Sequence, residues 1–539
     1  MRGRASLPVL PHTAPAGGSG GERVTGVRWL GNAVASPAVS THINGCMTTA
    51  LQIHSRDHVA TLLEAAAAGE AVEVGGAQIV ARADIPKGHK IALRDLAAGE
   101  EVVKFGFPIG RATAAIATGD HVHSHNLVTG LSGTLDYRYE PHADPREPAQ
   151  EARTFLGYVR ADGRVGTRNE IWILPSVGCV GRTAERIAAE AGRRHAGQVD
   201  GVHAFAHPYG CSQLGDDLGA TRRMLAALAA HPNAGGVLLI GLGCESNQIA
   251  RLLEELPESY RARIRTIIAQ TSADEFEDGL AAVAELAAEA AKTKRQPVGL
   301  DKLVLGVKCG GSDGFSGLTA NPLVGRMSDM VTAAGGSAIV TEIPEIFGAE
   351  QMLMDRAESR DVFEGVVGVV NDFKTYFLSH GEPVSENPSP GNVAGGITTL
   401  EEKSLGAVQK AGHAVLTDVK RYGERIARTG LTLLEAPGND AVSSTALAAA
   451  GATVILFTTG RGTPLGFPVP TVKIASNSDL AARKPNWIDF DAGQVLTQGF
   501  EAAEAALIDR IVAIASGAET CAERNGEREI AFWKRGVTL

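Results

Sequence analysis

The chain lacks the features of a membrane protein, a nucleic-acid-binding protein or a disulfide-stabilised protein. No apolar run approaches the roughly 20 residues that a membrane-spanning helix needs. There is no basic block, and the formal net charge is −10 at pH 7, which argues against nucleic acid or an anionic membrane as the main partner. Six cysteines in 539 residues are too few for a disulfide framework, and none are spaced as CxxC pairs. We therefore expect a soluble, cytoplasmic protein that acts on a small polar molecule.

The nucleotide-binding fingerprints GxGxxG and GxxxxGK[ST] are also absent. Their absence argues against a dinucleotide-dependent oxidoreductase. The length is enough for about three domains. Residues 1–46 are rich in Gly, Pro and Ser and show no amphipathic period. We expect them to be a disordered extension or the result of a wrongly assigned start, with regular patterning beginning at Met47.

From Met47 onward the pattern predicts an α/β multidomain protein. Short β-branched runs broken by turns predict a small β module over 47–127. Residues 128–155 lack periodicity and carry prolines and acids, as a linker does. Strand-like runs then alternate with helical stretches over 156–300 and again over 301–539, which predicts two α/β domains with mostly parallel sheets.

Four cysteines directly follow predicted strands, namely Cys179, Cys211, Cys244 and Cys309. In open parallel sheets, ligands bind at the carboxyl edge, where such loops meet. The thiols could ligate an iron–sulfur cluster or lie beside a mononuclear metal held mostly by N and O ligands. They could also be small residues that fill tight turns. Their spacing does not choose between these alternatives.

A histidine cluster ends the β module in GDHVHSHN. His121, His123 and His125 alternate along the chain, so an extended strand would place all three on one face. Imidazole is a common ligand of iron, manganese and zinc. We predict a metal role for His121 or His123, against the alternative of a polar strand edge.

Polar residues at other predicted strand ends have the composition of a hydroxy-acid site. The Gly-rich turn CGGSDGFSGLTANP offers backbone amides and hydroxyls that suit a carboxylate, and TEIPEIFGAE brings Glu342 and Glu345 past a strand, where a solvated helix cap is an equal alternative. Lys473 could neutralise a substrate carboxylate or a developing enediolate. The predicted substrate contacts are Ser312, Asp313, Thr319, Asn439 and Asp440.

Long motifs spread over the chain make it resemble the altronate/galactarate dehydratase family, and especially its altronate-dehydrating branch. The motifs are GDHVHSHN, VGTRNEIWILPSVGCV, HPYGCSQLGDD, HPNAGGVLLIGLGCESNQ, CGGSDGFSGLTANP, TEIPEIFGAEQ, ENPSPGNVAGGITTLEEKSLG, APGNDAVSSTALA, TTGRGTP, NWIDFDAGQ and the terminal RGVTL.

This resemblance implies a SAF-type β-clip module followed by two family-specific α/β domains. It implies that D-altronate loses water to give 2-dehydro-3-deoxy-D-gluconate, with a divalent metal, Fe(II) or else Mn(II), stabilising the enediolate formed when the C2 proton leaves. On this reaction we predict His207 as general base or acid, and Glu245 as metal ligand or base. We also expect a homo-oligomer, namely a dimer.

Other activities remain open at this point. Galactarate is the alternative substrate, and a sulfo-lyase acting on a sulfonated hydroxy acid is the nearest other reaction. A non-catalytic sugar-acid sensor would use a similar cleft, although no DNA-binding motif is present to transmit its signal.

Overall fold

The computed structural model describes residues 48–142 and 153–538. The extension predicted at 1–46 lies outside the described residues, as do 143–152 of the predicted linker. Within the described residues, an N-terminal β module precedes two α/β domains built on parallel sheets, which confirms the predicted fold class. No helix there is both long and apolar enough to cross a bilayer.

The N-terminal module is made of short strands in a six-stranded sheet, ordered β4-β3-β1-β2-β5-β8, and a three-stranded sheet, ordered β6-β7-β9. The strands are β1 Thr48–Leu51, β2 Val59–Leu62, β3 Ala71–Val74, β4 Ala77–Val80, β5 Lys90–Ala92, β6 Glu101–Lys104, β7 Phe107–Ala112, β8 His121–Val122 and β9 Leu127–Val128. A similar turn recurs before β3, β5, β6 and β8, and each copy contains a glycine with φ between +81° and +87°. A side chain at Gly119 would meet the carbonyl oxygen of Val80, so this turn requires glycine.

The extended strand predicted through the three histidines is wrong beyond Val122. Strand β8 covers only His121–Val122. The side chain of Asn126 then accepts a hydrogen bond from the backbone N–H of His123 at 2.9 Å, and the N–H of Asn126 bonds to the His123 carbonyl at 3.0 Å. The Asn side chain thereby stabilises a tight turn at this point.

The second domain carries a parallel sheet ordered β13-β12-β14-β15 and an antiparallel sheet ordered β11-β10-β16. Its strands are β10 Thr154–Val159, β11 Val165–Gly166, β12 Glu170–Pro175, β13 Gly201–Ala204, β14 Ala234–Gly241, β15 Ile264–Ile268 and β16 Gln296–Gly299. Its helices are α1 Gly181–Arg194, α2 Gly215–Ala229, α3 Ile249–Glu254 and α4 Glu275–Ala290, with short 3₁₀ turns at Gly178–Val180, Glu258–Arg263 and Leu300–Lys302. Almost every residue of β12 and β14 is buried, as expected for strands covered on both faces. The chain leaves β12 toward β13 and returns to its other side as β14, so a topological switch point lies between β12 and β14.

The C-terminal domain is built on a seven-stranded parallel sheet ordered β19-β20-β18-β17-β21-β22-β23. The strands are β17 Val304–Cys309, β18 Ser337–Val340, β19 Leu416–Lys420, β20 Gly430–Leu434, β21 Val454–Thr459, β22 Thr471–Ala475 and β23 Phe490–Asp491. The helices are α5 Ala320–Ala333, α6 Gln351–Met354, α7 Arg360–Ser379, α8 Pro390–Ala394, α9 Leu400–Ala407, α10 Asp440–Ala450, α11 Ser478–Arg483, α12 Val495–Gln498, α13 Phe500–Ala515 and α14 Cys521–Arg524, with 3₁₀ turns at Ile343–Glu345, Val408–Ala411 and Ala492–Gln494. Here the switch point lies between β17 and β21, and ligands bind beside such points at the carboxyl edge.

The three parts share hydrophobic cores. One apolar cluster joins Val102 and Ile109 of the module to Leu405 of α9. A second joins Leu225 of α2 to Leu447 of α10. The module and the second domain therefore each pack against the C-terminal domain, which holds the site described next.

Candidate active site

A cavity of about 400 Å³ opens at the carboxyl edge of the C-terminal sheet, beside the switch point of β17 and β21. It is lined by Cys309, Gly310, Gly311, Ser312, Glu345, Asn387, Ser389, Asn392, Lys403, Gly438, Asn439, Asp440, Ala441 and Leu465. A larger cavity of about 570 Å³ lies at the amino ends of β19 and β20, around Thr417 and Gly430. Because parallel sheets bind ligands at the carboxyl edge, the smaller, polar cavity is the candidate active site.

The buried thiol of Cys309 and the buried carboxylate of Glu345 line this cavity, and the buried carboxylate of Glu342 lies beside them. Among the described residues, Cys309, Glu342 and Glu345 form the group whose potential metal-ligand atoms lie within 4.8 Å of one another. The Cys309 Sγ is 3.2 Å from Glu345 Oε2, and the Cys309 backbone N–H donates to Glu342 Oε2 at 2.9 Å. Glu342 takes a left-handed backbone conformation with φ of 68°, which is strained for a residue with a side chain. Glu342 is the N-cap residue of the 3₁₀ turn Ile343–Glu345, but it is buried, so the expectation that such a cap would be solvated is wrong.

Three buried lysines balance these acids. Lys410 Nζ lies 2.8 Å from Cys309 Sγ and 3.2 Å from Glu342 Oε2.

The other two lysines bind the remaining carboxylates. Lys308 Nζ is 2.6 Å from Asp440 Oδ1 and 3.2 Å from Glu342 Oε1. Lys403 Nζ is 2.9 Å from Glu345 Oε1 and donates to Asn387 at 2.9 Å. The cavity therefore offers both cationic and anionic groups, as a polar, acidic substrate requires.

Burial and neighbouring charges fix the protonation of these groups. Burial, reinforced by the Glu342 carboxylate, raises the pKa of the Cys309 thiol to about 12. Burial by itself lowers the pKa of Lys403, but Glu345 outweighs it and the pKa rises above the usual value. Near pH 7, Cys309 is therefore a neutral thiol unless a cation binds, and Lys403 is an ammonium.

The donor set of Cys309, Glu342 and Glu345 fits a divalent transition metal. One sulfur and two carboxylate groups combine soft and hard donors that suit Fe(II) or Zn(II). Glu342 Oε1 is buried, makes no hydrogen bond and lies 3.2 Å from Lys308 Nζ, so a bound cation would share this oxygen with the Lys308 ammonium. Binding would require the Cys309 thiol to lose its proton.

The histidines of the N-terminal module do come together, with a fourth that the sequence did not single out. The ring of His121 lies 5.3 Å from that of His123 and 5.4 Å from that of His125, between centroids. His89 Nδ1 is 3.0 Å from His121 Nε2. Burial and the neighbouring His123 lower the pKa of His89 to about 4, and burial together with His89 lowers that of His121 to about 3. These two imidazoles are therefore neutral near pH 7, the form that binds metals.

The histidine cluster lies against helix α8 of the same chain. His123 Nε2 is 3.0 Å from the Val393 carbonyl, and His89 Nε2 is 3.4 Å from that of Ala394. The preceding residue, Asn392, lines the cavity and donates to the Ser312 carbonyl at 2.8 Å. The short helix α8 therefore lies between the histidine cluster and the cavity.

The predicted substrate contacts divide into two groups. Ser312, Asn439 and Asp440 line the cavity. Asp313 does not, because its carboxylate accepts hydrogen bonds from Ser476 Oγ at 2.8 Å, as well as from Ser316 and Asn477. Thr319 is also buried away from the cavity, with its hydroxyl donating to the Ser476 carbonyl at 2.6 Å.

The three predicted catalytic residues lie outside the cavity lining. His207 is in the second domain, with Nε2 2.8 Å from the Pro175 carbonyl, and burial lowers its pKa to about 4. The Glu245 carboxylate accepts hydrogen bonds from Ser176 and Gly243. Lys473 donates to the backbone carbonyls of residues 463–465, and burial lowers its pKa to about 8. Their catalytic roles stay predictions.

The predicted metal-ligand cysteines also divide. Cys309 is buried in the cavity, whereas Cys179, Cys211 and Cys244 are exposed in the second domain. The sequence analysis did not identify Lys308, Lys403 and Lys410 as site residues. The sequence gives a hint only for Lys308, which directly precedes Cys309.

Family models match nearly the whole described chain. The model described as "D-galactarate/Altronate dehydratase, C-terminal" matches residues 300–538. The model for the "D-galactarate dehydratase/Altronate hydrolase, second domain" matches 157–291, and "Altronate/galactarate dehydratase SAF domain" matches 48–130. The chain is 52% identical over 493 residues to an altronate dehydratase of Escherichia coli K12, covering 91% of this chain and 99% of that protein. The chain belongs to the altronate/galactarate dehydratase family.

Two further relatives place the chain within the altronate/galactarate dehydratases. It is 48% identical to an altronate dehydratase of Bacillus subtilis 168, covering 92% of this chain and all of that protein. It is 33% identical to a galactarate dehydratase (L-threo-forming) of Escherichia coli K12, covering 77% of this chain and 82% of that protein.

Proposed function

We propose that this chain is a metal-dependent hydro-lyase that converts D-altronate to 2-dehydro-3-deoxy-D-gluconate and water in the cavity around Cys309. The observation that carries this proposal is the similarity over almost the full length to two altronate dehydratases, at 52% and 48% identity. The identity to the galactarate dehydratase is 33%. The charges of the cavity support the same substrate class, because buried lysines can compensate a sugar-acid carboxylate.

The proposed chemistry is a β-elimination between C2 and C3. Asp440, which lines the cavity and is held by Lys308 at 2.6 Å, takes the C2 proton. Lys403 gives a proton to the C3 hydroxyl, which leaves as water while the C2–C3 double bond forms. The resulting enol takes a proton at C3 and loses one from its C2 hydroxyl to become the 2-keto acid.

Cys309, Glu342 and Glu345 would hold the divalent cation, which we assign as Fe(II), with Mn(II) the second choice. When bound, the cation supplies Lewis-acid stabilisation of the negative charge that develops next to the substrate carboxylate. Ser312 and Asn439 line the same cavity and orient the substrate hydroxyls. Orientation of this kind keeps the C2 proton within reach of Asp440.

The experiment offers the full chain three acids: D-altronate, galactarate and a sulfonated hydroxy acid. Formation of 2-keto acid and release of sulfite are measured on the same samples. We expect the highest kcat/KM for D-altronate and no sulfite. Faster turnover of galactarate would contradict the substrate, sulfite release would contradict the reaction, and tight binding of altronate without turnover would favour the sensor.

The family resemblance also leads us to propose a cytoplasmic homodimer. Sedimentation equilibrium of the purified chain tests the assembly, and a monomer at micromolar concentration would contradict it. Fractionation of the source cells tests the location.

A further inference from the structure

Three exposed thiols lie at one edge of the second domain. Of the five cysteines in the described residues, Cys309 and Cys521 are buried, whereas Cys179, Cys211 and Cys244 are exposed. Cysteine is among the most frequently buried residues, so three exposed thiols on adjacent loops of one sheet are unusual. The loops follow β12, β13 and β14, and the switch point of this sheet lies between β12 and β14. Such a point is where an open parallel sheet binds a ligand.

Buried hydrogen bonds hold the loops of Cys179 and Cys244 together. The Glu245 carboxylate accepts from Ser176 Oγ at 2.6 Å and from the Gly243 N–H at 2.6 Å. Glu245 is buried and directly follows Cys244, while Ser176 lies three residues before Cys179. A buried carboxylate held this way fixes the relative position of two loops.

The loop of Cys211 is tied to the same point. The backbone N–H of Asn247 donates to the Gly210 carbonyl at 3.0 Å, and its side-chain amide donates to the Ser176 carbonyl at 3.1 Å. The Gly178 N–H donates to the Tyr209 carbonyl at 2.8 Å. Each of the three cysteines is therefore adjacent in sequence to a residue that forms a hydrogen bond with another of the three cysteine-bearing loops.

A mononuclear metal site and a multi-iron cluster require different distances between their cysteine sulfurs. A tetrahedral mononuclear site with Zn–S bonds near 2.3 Å holds its sulfurs about 3.8 Å apart. In the described residues, the group of three ligand atoms within 4.8 Å of one another is that of Cys309, and the three exposed cysteines do not form another. Thiolates around a multi-iron cluster lie farther apart, because each binds a different iron.

We propose that Cys179, Cys211 and Cys244 bind a four-iron, four-sulfide cluster at the carboxyl edge of the second-domain sheet. Three thiolates leave one iron without a protein thiolate, so that iron is open to an oxygen ligand. The amide of Gln270 donates to Cys244 Sγ at 3.5 Å, and hydrogen bonds to sulfur stabilise such clusters. Helix α1, which begins two residues after Cys179, presents its positive end to an anionic cluster.

This second metal site is distinct from the Cys309 group. Tyr209, two residues before Cys211, packs against the same apolar cluster as Leu465, which lines the active-site cavity. Both sites therefore border the apolar core that the second and C-terminal domains share. The inference does not rest on the substrate proposed above, because it concerns iron and inorganic sulfide bound to the chain.

The test is to express the full chain with added iron, purify it without oxygen, and measure iron and acid-labile sulfide per chain together with the visible and electron paramagnetic resonance spectra. We expect about four sulfides per chain in the parent protein and a loss of nearly all sulfide in C179S, C211S and C244S. Two control variants at the buried thiols, C521S and C309S, should keep the sulfide, and C309S should lose only the iron of the other site.

The proposal would be overturned if the chain held no labile sulfide after reconstitution with iron and sulfide. It would also be overturned if the triple variant C179S/C211S/C244S held as much sulfide as the parent. Zinc at these cysteines in place of iron and sulfide would also overturn it. Because the three side chains are exposed, circular dichroism of the variants should match the parent, and their thermal melting should match that of the parent stripped of iron and sulfide. Failure of altronate turnover with sulfide retained would contradict the proposed function and leave the cluster in place.

Discussion

We predict that the buried ion pairs of Glu402 are the main electrostatic interaction between the N-terminal module and the C-terminal domain. The two carboxylate oxygens of Glu402 lie 2.8 Å from Lys90 Nζ and 2.8 Å from Lys104 Nζ, and all three side chains are almost fully buried. Although burial opposes ionisation, the two ammonium groups lower the pKa of Glu402 from 4.5 to about 2. That difference corresponds to about 3 kcal/mol, which agrees with the 3–5 kcal/mol that breaking a buried ion pair usually costs.

Glu402→Gln should therefore weaken the docking of the module by about 3 kcal/mol. Burial already lowers the pKa of Lys90 to about 8, so Lys90 can release its proton in the variant, and this limits the cost. Amide hydrogen exchange in β5 and β6 should accelerate roughly 100-fold, since each 1.4 kcal/mol is a factor of ten. The control is Glu101→Gln, whose partner Arg111 is 2.8 Å away but half exposed, so its effect should stay below about 1 kcal/mol.

The pH dependence has a definite sign. Because the folded-state pKa of Glu402 lies below the unfolded value, its contribution is present above about pH 4.5 and is lost as the pH falls toward 2. The parent module should open faster as the pH falls through this window, and Glu402→Gln should remove that part of the dependence. Equal exchange rates in Glu402→Gln and Glu101→Gln would refute the reasoning.

Three further predictions concern the active site. Asp440→Asn should lower kcat at least 100-fold with little change in KM, because it removes the proposed base. The control Asp479→Asn removes an exposed ion pair and should leave kcat unchanged. The same kcat in both variants would contradict the role of Asp440. Because the Cys309 thiol has a pKa of about 12, metal binding releases its proton, so the affinity for Fe(II) should rise about tenfold per pH unit between pH 6 and 8; a slope equal to that of Cys309→Ser would exclude the thiol as a ligand. Replacing His121 and His123 together by alanine should lower both bound metal and activity, and full retention of both would rule out a metal role for this pair.

The position of Cys309 could be predicted from the sequence for a simple physical reason. A run of buried apolar residues ends at Cys309, and the alternation of strands and helices implies a parallel sheet whose carboxyl edge collects such strand ends. Asn439 and Asp440 were predicted at the same edge for the same reason, and the structure brings them to one cavity with Cys309. Residues that directly follow parallel strands can therefore be assigned to a site from the sequence, because the backbone topology places them there.

The charged partners could not be predicted in this way. Lys403 and Lys410 lie in and just after α9, where lysines are typical of a solvated face, yet both are buried against carboxylates. Lys90 and Lys104 are similar, since their partner Glu402 is about 300 residues away along the chain. Long-range pairing of this kind leaves no local pattern. The role predicted for His207 depends on the same strand-end logic, which also gathers residues at the edge of the second sheet.

The most direct test of the account is keto-acid formation from D-altronate by the full chain, purified without oxygen, before and after chelation and after restoration with Fe(II). We expect turnover that chelation removes and Fe(II) restores, and we expect Cys309→Ser not to recover under the same conditions. Turnover that survives complete removal of metal, or full recovery of Cys309→Ser with Fe(II), would contradict a metal-dependent dehydratase centred on the Cys309 cavity.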